Sequence, residues 1–376
     1  MHKVQEDFLM KRITLSIAVC WSLIASISFA QNNTKADKNI FNHMDLGVTV
    51  GSTGLGIDLS MPAGDYVSLR TGFTYMPHFK KDMHFNVGVG YNDPSLSAEE
   101  KQRRFNRLAE LMEGFTGHAI KSSVCMEGQP QMTTFKLLAD VYPFKDNKHW
   151  HITAGFYAGP SRIAKAVNAQ ADMPSLIGVS MYNNIYWKAY YEQNIFELNG
   201  TGMEFPPEIN QRFLAYGEMG MPVGRFKHDF YATQDMYYDH DVYDMEQYDA
   251  EGQYLLIHQK GDIQYHKGDL VYRQGDIYRM LPDDDFMIKA KAFVNAFRPY
   301  LGLGYNTTFG KAGRMKLAVD CGVMMWGGSP KIITHDGVDI AHDLTNVNGQ
   351  VDNILRVIRH FPVFPVLEIR FARDIF

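Results

Sequence analysis

The 376-residue sequence predicts an all-β fold: an antiparallel, membrane-spanning, up-and-down β-barrel of about eight strands, with long surface loops and one or two short helices. Three observations lead there. An export leader opens the chain. No later apolar stretch reaches the roughly 18 residues that a spanning helix needs. Apolar and polar side chains alternate with a period of two in one segment after another. A chain that enters a membrane without apolar helices must satisfy its backbone in a closed barrel, because hydrocarbon offers no hydrogen bonds to a sheet edge.

The leader is read from Lys11 and Arg12, the apolar residues 13–29, and the small residues of Ser28-Phe29-Ala30. Residues 1–30 are thereby a cleaved signal peptide and Gln31 the mature N-terminus. Met10 stands just before the basic pair, so the first nine residues need not belong to the signal. Cys20 lies too deep in the apolar run, behind Val19, for lipid attachment. Residues 31–43 form a short N-terminal segment and residues 44–376 the barrel with its loops. The mature chain holds only Cys125 and Cys321. That is too few for a disulfide framework, though one bridge stays open. A net charge of −5 leaves no basic footprint, which excludes nucleic acid as a partner.

The strands are legible from their faces. Leu55, Ile57, Leu59 and Met61 oppose Gly56, Asp58 and Ser60; Val67, Leu69, Thr71, Phe73 and Tyr75 oppose Ser68, Arg70, Gly72 and Thr74. The intervening Pro62-Ala63-Gly64-Asp65 is a turn. Phe135, Leu137, Ala139 and Val141 alternate with Lys136 and Asp140. Trp150, Ile152, Ala154 and Phe156 alternate with His151, Thr153, Gly155 and Tyr157. A third pair sets Phe297, Pro299, Leu301, Leu303 and Tyr305 against Arg298, Tyr300, Gly302 and Gly304. Its partner sets Leu317, Val319, Cys321, Val323 and Met325 against Lys316, Asp320 and Gly322. Leu46, Val48 and Val50 begin the series; Leu367, Ile369 and Phe371 end it. Short turns at 62–65, 144–148 and 307–313 alternate with long connections at 77–130, 160–295 and 328–360. A further hairpin within 160–295 would raise the count to ten. Apolar matching across the 62–66 turn predicts Leu59 opposite Leu69, Ile57 opposite Thr71, and Asp58 opposite Arg70 inside the lumen.

The chain resembles a family of Gram-negative outer-membrane β-barrel proteins. The resemblance rests on Gly51-Ser-Thr-Gly-Leu-Gly-Ile57, Leu138-Ala-Asp-Val-Tyr-Pro-Phe144, Pro299-Tyr-Leu-Gly-Leu-Gly-Tyr305, Phe364-Pro-Val-Leu-Glu-Ile369 and the terminal Phe376. It implies outer-membrane lipid as surroundings and residues 31–43 in the periplasm. It also implies delivery to the barrel-assembly machinery through the C-terminal strand ending in Phe376. Leu367, Ile369 and Phe371 are one residue out of phase with Phe376; a bulge near Arg373 would repair this, and otherwise Phe376 is a looser form of the signal. The motifs specify a class and no activity.

Nine charged residues fall on lumen positions: Asp58, Arg70, Lys136, Asp140, Arg298, Lys316, Asp320, Glu368 and Arg370. An eight-stranded barrel is only wide enough for its own side chains, and the signs nearly balance, so these read as a paired plug and not a pore. Outside the barrel, residues 260–280 repeat Gly-Asp at 261, 268 and 275 with Ile or Leu and Tyr following, which reads as a structural meander. Asp235, Asp239, Asp241, Asp244, Glu246 and Asp249 lack the order of a calcium loop and read as a solvated acidic loop. Residues 97–113 form an amphipathic helix behind a Ser97 cap, with Phe105, Leu108, Leu111 and Met112 at helical spacing; 353–360 form a second. No metal array, cofactor loop or nucleophile elbow is present in the sequence.

These readings favour a non-enzymatic barrel that is structural or that binds an extracellular ligand through its loops. A small channel or solute-binding barrel is the alternative, favoured by ten or more strands and unpaired lumen charge. A membrane-embedded lipid or peptide hydrolase comes third. His78, His84 and His335 are its candidates, with no spacing to join them.

Overall fold

The computed structural model describes residues 43–375 apart from 92, 94, 145–146, 192–195, 199–200, 204–206, 251, 311–313 and 348–361. The leader, the helix expected at 353–360 and Phe376 lie outside the described residues.

After β1 (Asp45–Gly51), β2 (Gly54–Pro62) and β3 (Val67–Tyr75), the chain leaves the barrel rim as β4 (Lys81–Asn86) and helix α1 (Ala98–Thr116). It returns through β5 (Ser123–Pro130) into β6 (Thr133–Val141) and turns into β7 (Trp150–Ala158). The second excursion holds β8 (Arg162–Asn168), α2 (Met173–Tyr190), α3 (Pro207–Tyr216), β9 (Met221–Phe226), β10 (Ile277–Met280) and β11 (Lys289–Phe293). It re-enters the barrel as β12 (Phe297–Phe309) and β13 (Met315–Met325). The third excursion holds β14 (Lys331–Thr334) and β15 (Leu344–Thr345) before β16 (Val363–Asp374).

Eight strands, β1-β2-β3-β6-β7-β12-β13-β16, close one antiparallel barrel, with β16 pairing back onto β1. Alternation is what makes them strands. In β12 every outward residue from Phe297 to Tyr305 is exposed and every inward residue is buried. The outward apolar side chains include Ile57 at 53% exposed, Phe73 at 64% and Leu303 at 59%. A water-soluble sheet would cover such a surface. The tight first turn holds because Gly51 pairs with Gly54, whose φ of 102° suits glycine alone. Its two linking residues fold onto the rim: Ser52 Oγ donates to the Pro365 carbonyl and Thr53 Oγ1 donates to Glu368 Oε1 at 2.6 Å.

Three expectations are corrected. The β2–β3 register places Leu59 opposite Thr71, Ile57 opposite Phe73 and Met61 opposite Leu69, so Asp58 faces Gly72, and Ser60 faces Arg70. A two-residue slip leaves every side chain on its face, and apolar matching is blind to it. Gly72 settles the pairing, since a Cβ there would lie 2.6 Å from the Asp58 Cβ. The second correction concerns β16, which pairs with β1 and β13 in unbroken register through Arg373; no bulge occurs there. The third is that 160–295 adds no barrel hairpin. Among the described residues it carries helices α2 and α3 instead.

The excursions are not loose loops. β4, β5, β8, β11 and β14 form a five-stranded sheet in the order β4-β5-β8-β11-β14. That order repeats β3-β6-β7-β12-β13, so five barrel strands break at the rim and resume above it. Helices α1 and α2 and the small sheet β10-β9-β15 pack over this extension. Their core includes Phe105, Met112, Leu176, Val179, Met221 and Tyr278, all nearly inaccessible. Ser97 caps α1, accepting from Glu100 N, and Gly117 ends it in the left-handed region. Of the four apolar positions expected to pack, Phe105, Leu108 and Met112 are buried, while Leu111 is exposed.

Between β9 and β10 the chain runs out and back as one antiparallel ribbon. Short ladders join Phe230–Tyr231 to Leu270–Tyr272, Met236–Tyr237 to Ile263–Tyr265, and Val242–Tyr248 to Tyr254–His258. The Gly-Asp repeat builds it. Gly261, Gly268 and Gly275 all have φ between 92° and 100°, and donate their N–H to the carbonyls of Tyr238, Ala232 and Phe226. Opposite them, Asp241, Asp235 and Asp229 each accept the N–H preceding a glycine, from Lys260, Lys267 and Gln274. A seven-residue repeat on one strand thus meets a six-residue repeat on the other, the extra residue being absorbed at each glycine as a bulge. Asp235 and Asp241 in the acidic run are bound to backbone in this way.

Candidate functional site

The barrel lumen gathers the charges. Asp58 comes from β2, Arg70 from β3, Lys136 and Asp140 from β6, Asp320 from β13, and Glu368 and Arg370 from β16, all at inward positions and all buried. Arg70 donates Nη1 to Asp320 Oδ2 at 2.7 Å and Nη2 to Asp140 Oδ1 at 2.9 Å. Arg370 donates Nε to Asp58 Oδ1 at 2.6 Å and Nη2 to Ser60 Oγ at 2.9 Å. Lys136 lies 3.0 Å from Glu368 Oε2 and 3.3 Å from Asp58 Oδ2. The lattice has two neighbouring parts, Arg70 with Asp140 and Asp320, and Asp58 with Arg370, Lys136 and Glu368, in place of the direct Asp58–Arg70 pair that the expected register would have made.

Two of the nine residues stand apart. Lys316 Nζ pairs with Asp45 Oδ2 at 2.7 Å near the turn-side mouth and is partly exposed. Arg298 is fully buried but meets no carboxylate among the described residues: its Nε donates to the Asn295 carbonyl at 2.7 Å and its Nη2 to the Pro160 carbonyl at 2.5 Å. It ties the β7–β8 and β11–β12 breaks together where the barrel passes into the upper sheet.

The charge pattern alone did not single out four further members. His151, on β7, lies with Nε2 2.8 Å from Asp320 Oδ1, and because a carboxylate only accepts, His151 donates. Thr153 Oγ1 donates to Asp140 at 2.7 Å; Thr53 and Tyr157 hydroxyls donate to Glu368. Their signal was in the alternation, which puts His151, Thr153 and Tyr157 on the lumen face. The three cations Arg70, Lys136 and Arg370 face four carboxylates, and His151 and these hydroxyls supply the remaining donors.

Space for the lattice comes from glycine. A Cβ on Gly304 would lie 2.1 Å from His151 Nε2 and 2.4 Å from Asp320 Oδ1; one on Gly47 would lie 2.5 Å from Asp58 Oδ1. Above the charges, toward the excursions, Met132, Leu138, Tyr157, Tyr300, Met324 and Val366 form an apolar plug. Below them a polar vestibule of about 420 Å³ opens at the turn side, floored by Arg70, Asp140, His151 and Arg370.

Chemically the lattice is a set of mutually dependent charges. A buried ion network resists losing a member, since an unpaired buried charge costs about 3–5 kcal/mol. The hydrolase candidates do not assemble: His78 Nδ1 bonds the Tyr75 hydroxyl, His84 sits opposite Cys125 in the β4–β5 ladder, and His335 donates its N–H to Lys289 O. Cys125 and Cys321 are both free thiols.

No known family model matches the chain, and no curated sequence does. Among solved structures, CarO2 of Acinetobacter baumannii is 12% identical, with 89% of this chain and 100% of that chain covered and a TM-score of 0.33. CarO of the same organism is 12% identical, with 90% and 99% covered and a TM-score of 0.31. A major outer membrane protein from Thermus thermophilus is 9% identical, with 88% and 98% covered and a TM-score of 0.23. Likeness at this level carries no argument about activity.

Proposed function

We propose that the chain is an integral outer-membrane β-barrel, exported by a cleaved signal peptide, that acts without enzymatic chemistry. Its lumen is sealed, and its role is structural or lies in binding through the domain built by the three excursions. The observation that supports this best is the inversion of the barrel wall: a continuous outward apolar face around an inward lattice of paired charge. Only a solvent of hydrocarbon makes that arrangement favourable. Outer-membrane lipid is the partner of the outward face. The barrel-assembly machinery would receive the strand that ends in Phe376.

The topology supports one assignment of sides. Both ends of the described chain and the turns after β2, β6 and β12 share one mouth, which is the periplasmic one; the excursions lie at the other, on the cell surface. Protease added to intact cells should cut at the ribbon tip around residues 249–253 and spare residues 63–66. The processed protein should begin at Gln31 and require detergent for extraction. Cleavage confined to the short turns would invert the topology, and a detergent-free periplasmic form would overturn the proposal.

A further inference from the structure

A second cavity lies in the domain built by the excursions. It is a cleft of about 440 Å³ where three elements converge: α2, the ribbon near Asp239, His240 and Lys260, and the turn at 281–286 that follows β10. One wall is a polar stripe on α2. Ser180, Asn184 and Lys188 fall at i, i+4 and i+8, so their side chains stand one helical turn apart along a single face. None of the three takes a side-chain hydrogen bond or ion pair among the described residues. Met181 and Ile185 supply apolar surface beside them.

The facing wall presents Phe286. Its φ is 56°, a conformation in which a bulky side chain is an outlier and glycine or asparagine the ordinary choice. The turn is held firmly, with Asp283 Oδ1 accepting from Asp285 N and Met287 N, and Phe286 N donating to Asp283 O. The phenyl ring gains nothing evident from packing. It is 40% exposed, and it belongs to neither apolar core. A strained backbone that carries an unburied aromatic at a cleft wall suits a ring kept for contact with something else.

The electrostatics narrow the class. Lys289 Nζ lies 2.6 Å from Asp283 and Lys260 Nζ 3.7 Å from Asp284, while Asp239 is bonded to His240. Asp283 and Asp284 are therefore met by cations and Asp239 by an imidazole, and no strong field of one sign remains. What is left is a hydroxyl and an amide that both donate and accept, an ammonium, and an apolar ring opposite them. That set matches a molecule with an apolar face and a rim of hydroxyl groups.

We propose that this cleft is a saccharide-binding site, taking a neutral pyranose unit with its ring face on Phe286 and its hydroxyls on Ser180, Asn184 and Lys188. It deepens the reading of the excursions as a binding domain and rests on it. The test uses the full chain purified in detergent on an array of neutral and charged oligosaccharides, followed by titration of those retained. A neutral class should bind. Phe286→Gly should weaken it roughly three- to tenfold, the range expected for one stacking contact. The same variant should melt at the same or a higher temperature, because glycine relieves the strain. Asn184→Ala should also weaken binding. Failure of every neutral saccharide to bind, binding confined to charged ones, or affinity unchanged in Phe286→Gly would each overturn the site. A lowered melting temperature in Phe286→Gly would show that the ring is held for packing and would count equally against it. Binding in detergent does not depend on which side of a membrane the cleft faces, so its failure is separate from failure of the protease experiment above.

Discussion

The barrel and the domain above it are two halves of one sheet system with opposite interiors. Five strands run through both, yet below the rim the buried residues are Arg70, Lys136, His151 and Asp320, and above it they are Phe85, Val124, Met126 and Ala290. The backbone is alike and the alternation is alike. What changes is the chemistry of the face turned inward. Below the rim the interior is held by complementary charge, which is directional and tolerates no missing partner. Above it the interior is held by apolar burial, in which a lost side chain costs in proportion to the cavity it leaves.

The largest effect should come from breaking the charged interior. Arg70→Ala strands Asp140 and Asp320 together and should cost the barrel about 3–5 kcal/mol, read by unfolding in detergent with denaturant. The double variant Arg70→Ala/Asp320→Ala should be less damaged than the sum of its singles, by more than Arg70→Ala/Asp58→Ala is. Equal coupling in the two cycles would contradict the observed register. In the apolar interior, Leu176→Ala should cost about 2–5 kcal/mol. Its loss should appear as earlier cleavage of the surface domain by protease while the barrel band stays intact; loss of both together would show that the two interiors fold as one.

A smaller loss is expected from crowding the lattice without changing its charge. Gly304→Ala drives a methyl onto His151 and Asp320 and should destabilise by about 1–3 kcal/mol, whereas Gly114→Ala, with open space around it on α1, should be neutral or slightly stabilising. The two substitutions compared in the same unfolding assay would show whether inward glycines are spacers for the lattice. The smallest effect belongs to the ribbon. Asp235→Ala removes the carboxylate that accepts Lys267 N and should open only the middle rung, seen as faster amide exchange at Lys267 and Gly268 with the melting temperature of the barrel unchanged.

The sequence made the barrel legible because its pattern is long and of one period. All eight strands, their inward faces and the lumen position of the seven lattice charges could be read from alternation. The pairing partners could not. A shift by two residues preserves every face, and the information that decides between registers sits in inward glycines such as Gly72, which carry no polarity of their own. The domain above the rim was less legible for a different reason. Helix α2 is apolar around most of its circumference, so Leu176, Val179, Tyr182, Ile185 and their neighbours show no single-sided stripe, and Pro174 near its start reads as a breaker although it is well placed in a first turn. Only half of the ribbon was legible, because its two strands repeat with different periods. The 261, 268 and 275 glycines announce the seven-residue repeat, while Asp229, Asp235 and Asp241 look like scattered acid until the partner strand is laid beside them. The saccharide cleft has no motif at all; its stripe at 180, 184 and 188 becomes visible only once α2 is known to be a helix.

If charge pairing and the apolar plug close the lumen of a membrane-inserted barrel, single-channel recording on the purified full chain in planar bilayers will show it. The chain should insert, as verified by protection of the barrel from protease in vesicles of the same lipid, with no steady conductance above that of the lipid at neutral pH. Steady openings from the wild-type chain under those conditions would mean that the ion lattice lines a path and does not seal one, and would contradict the closure.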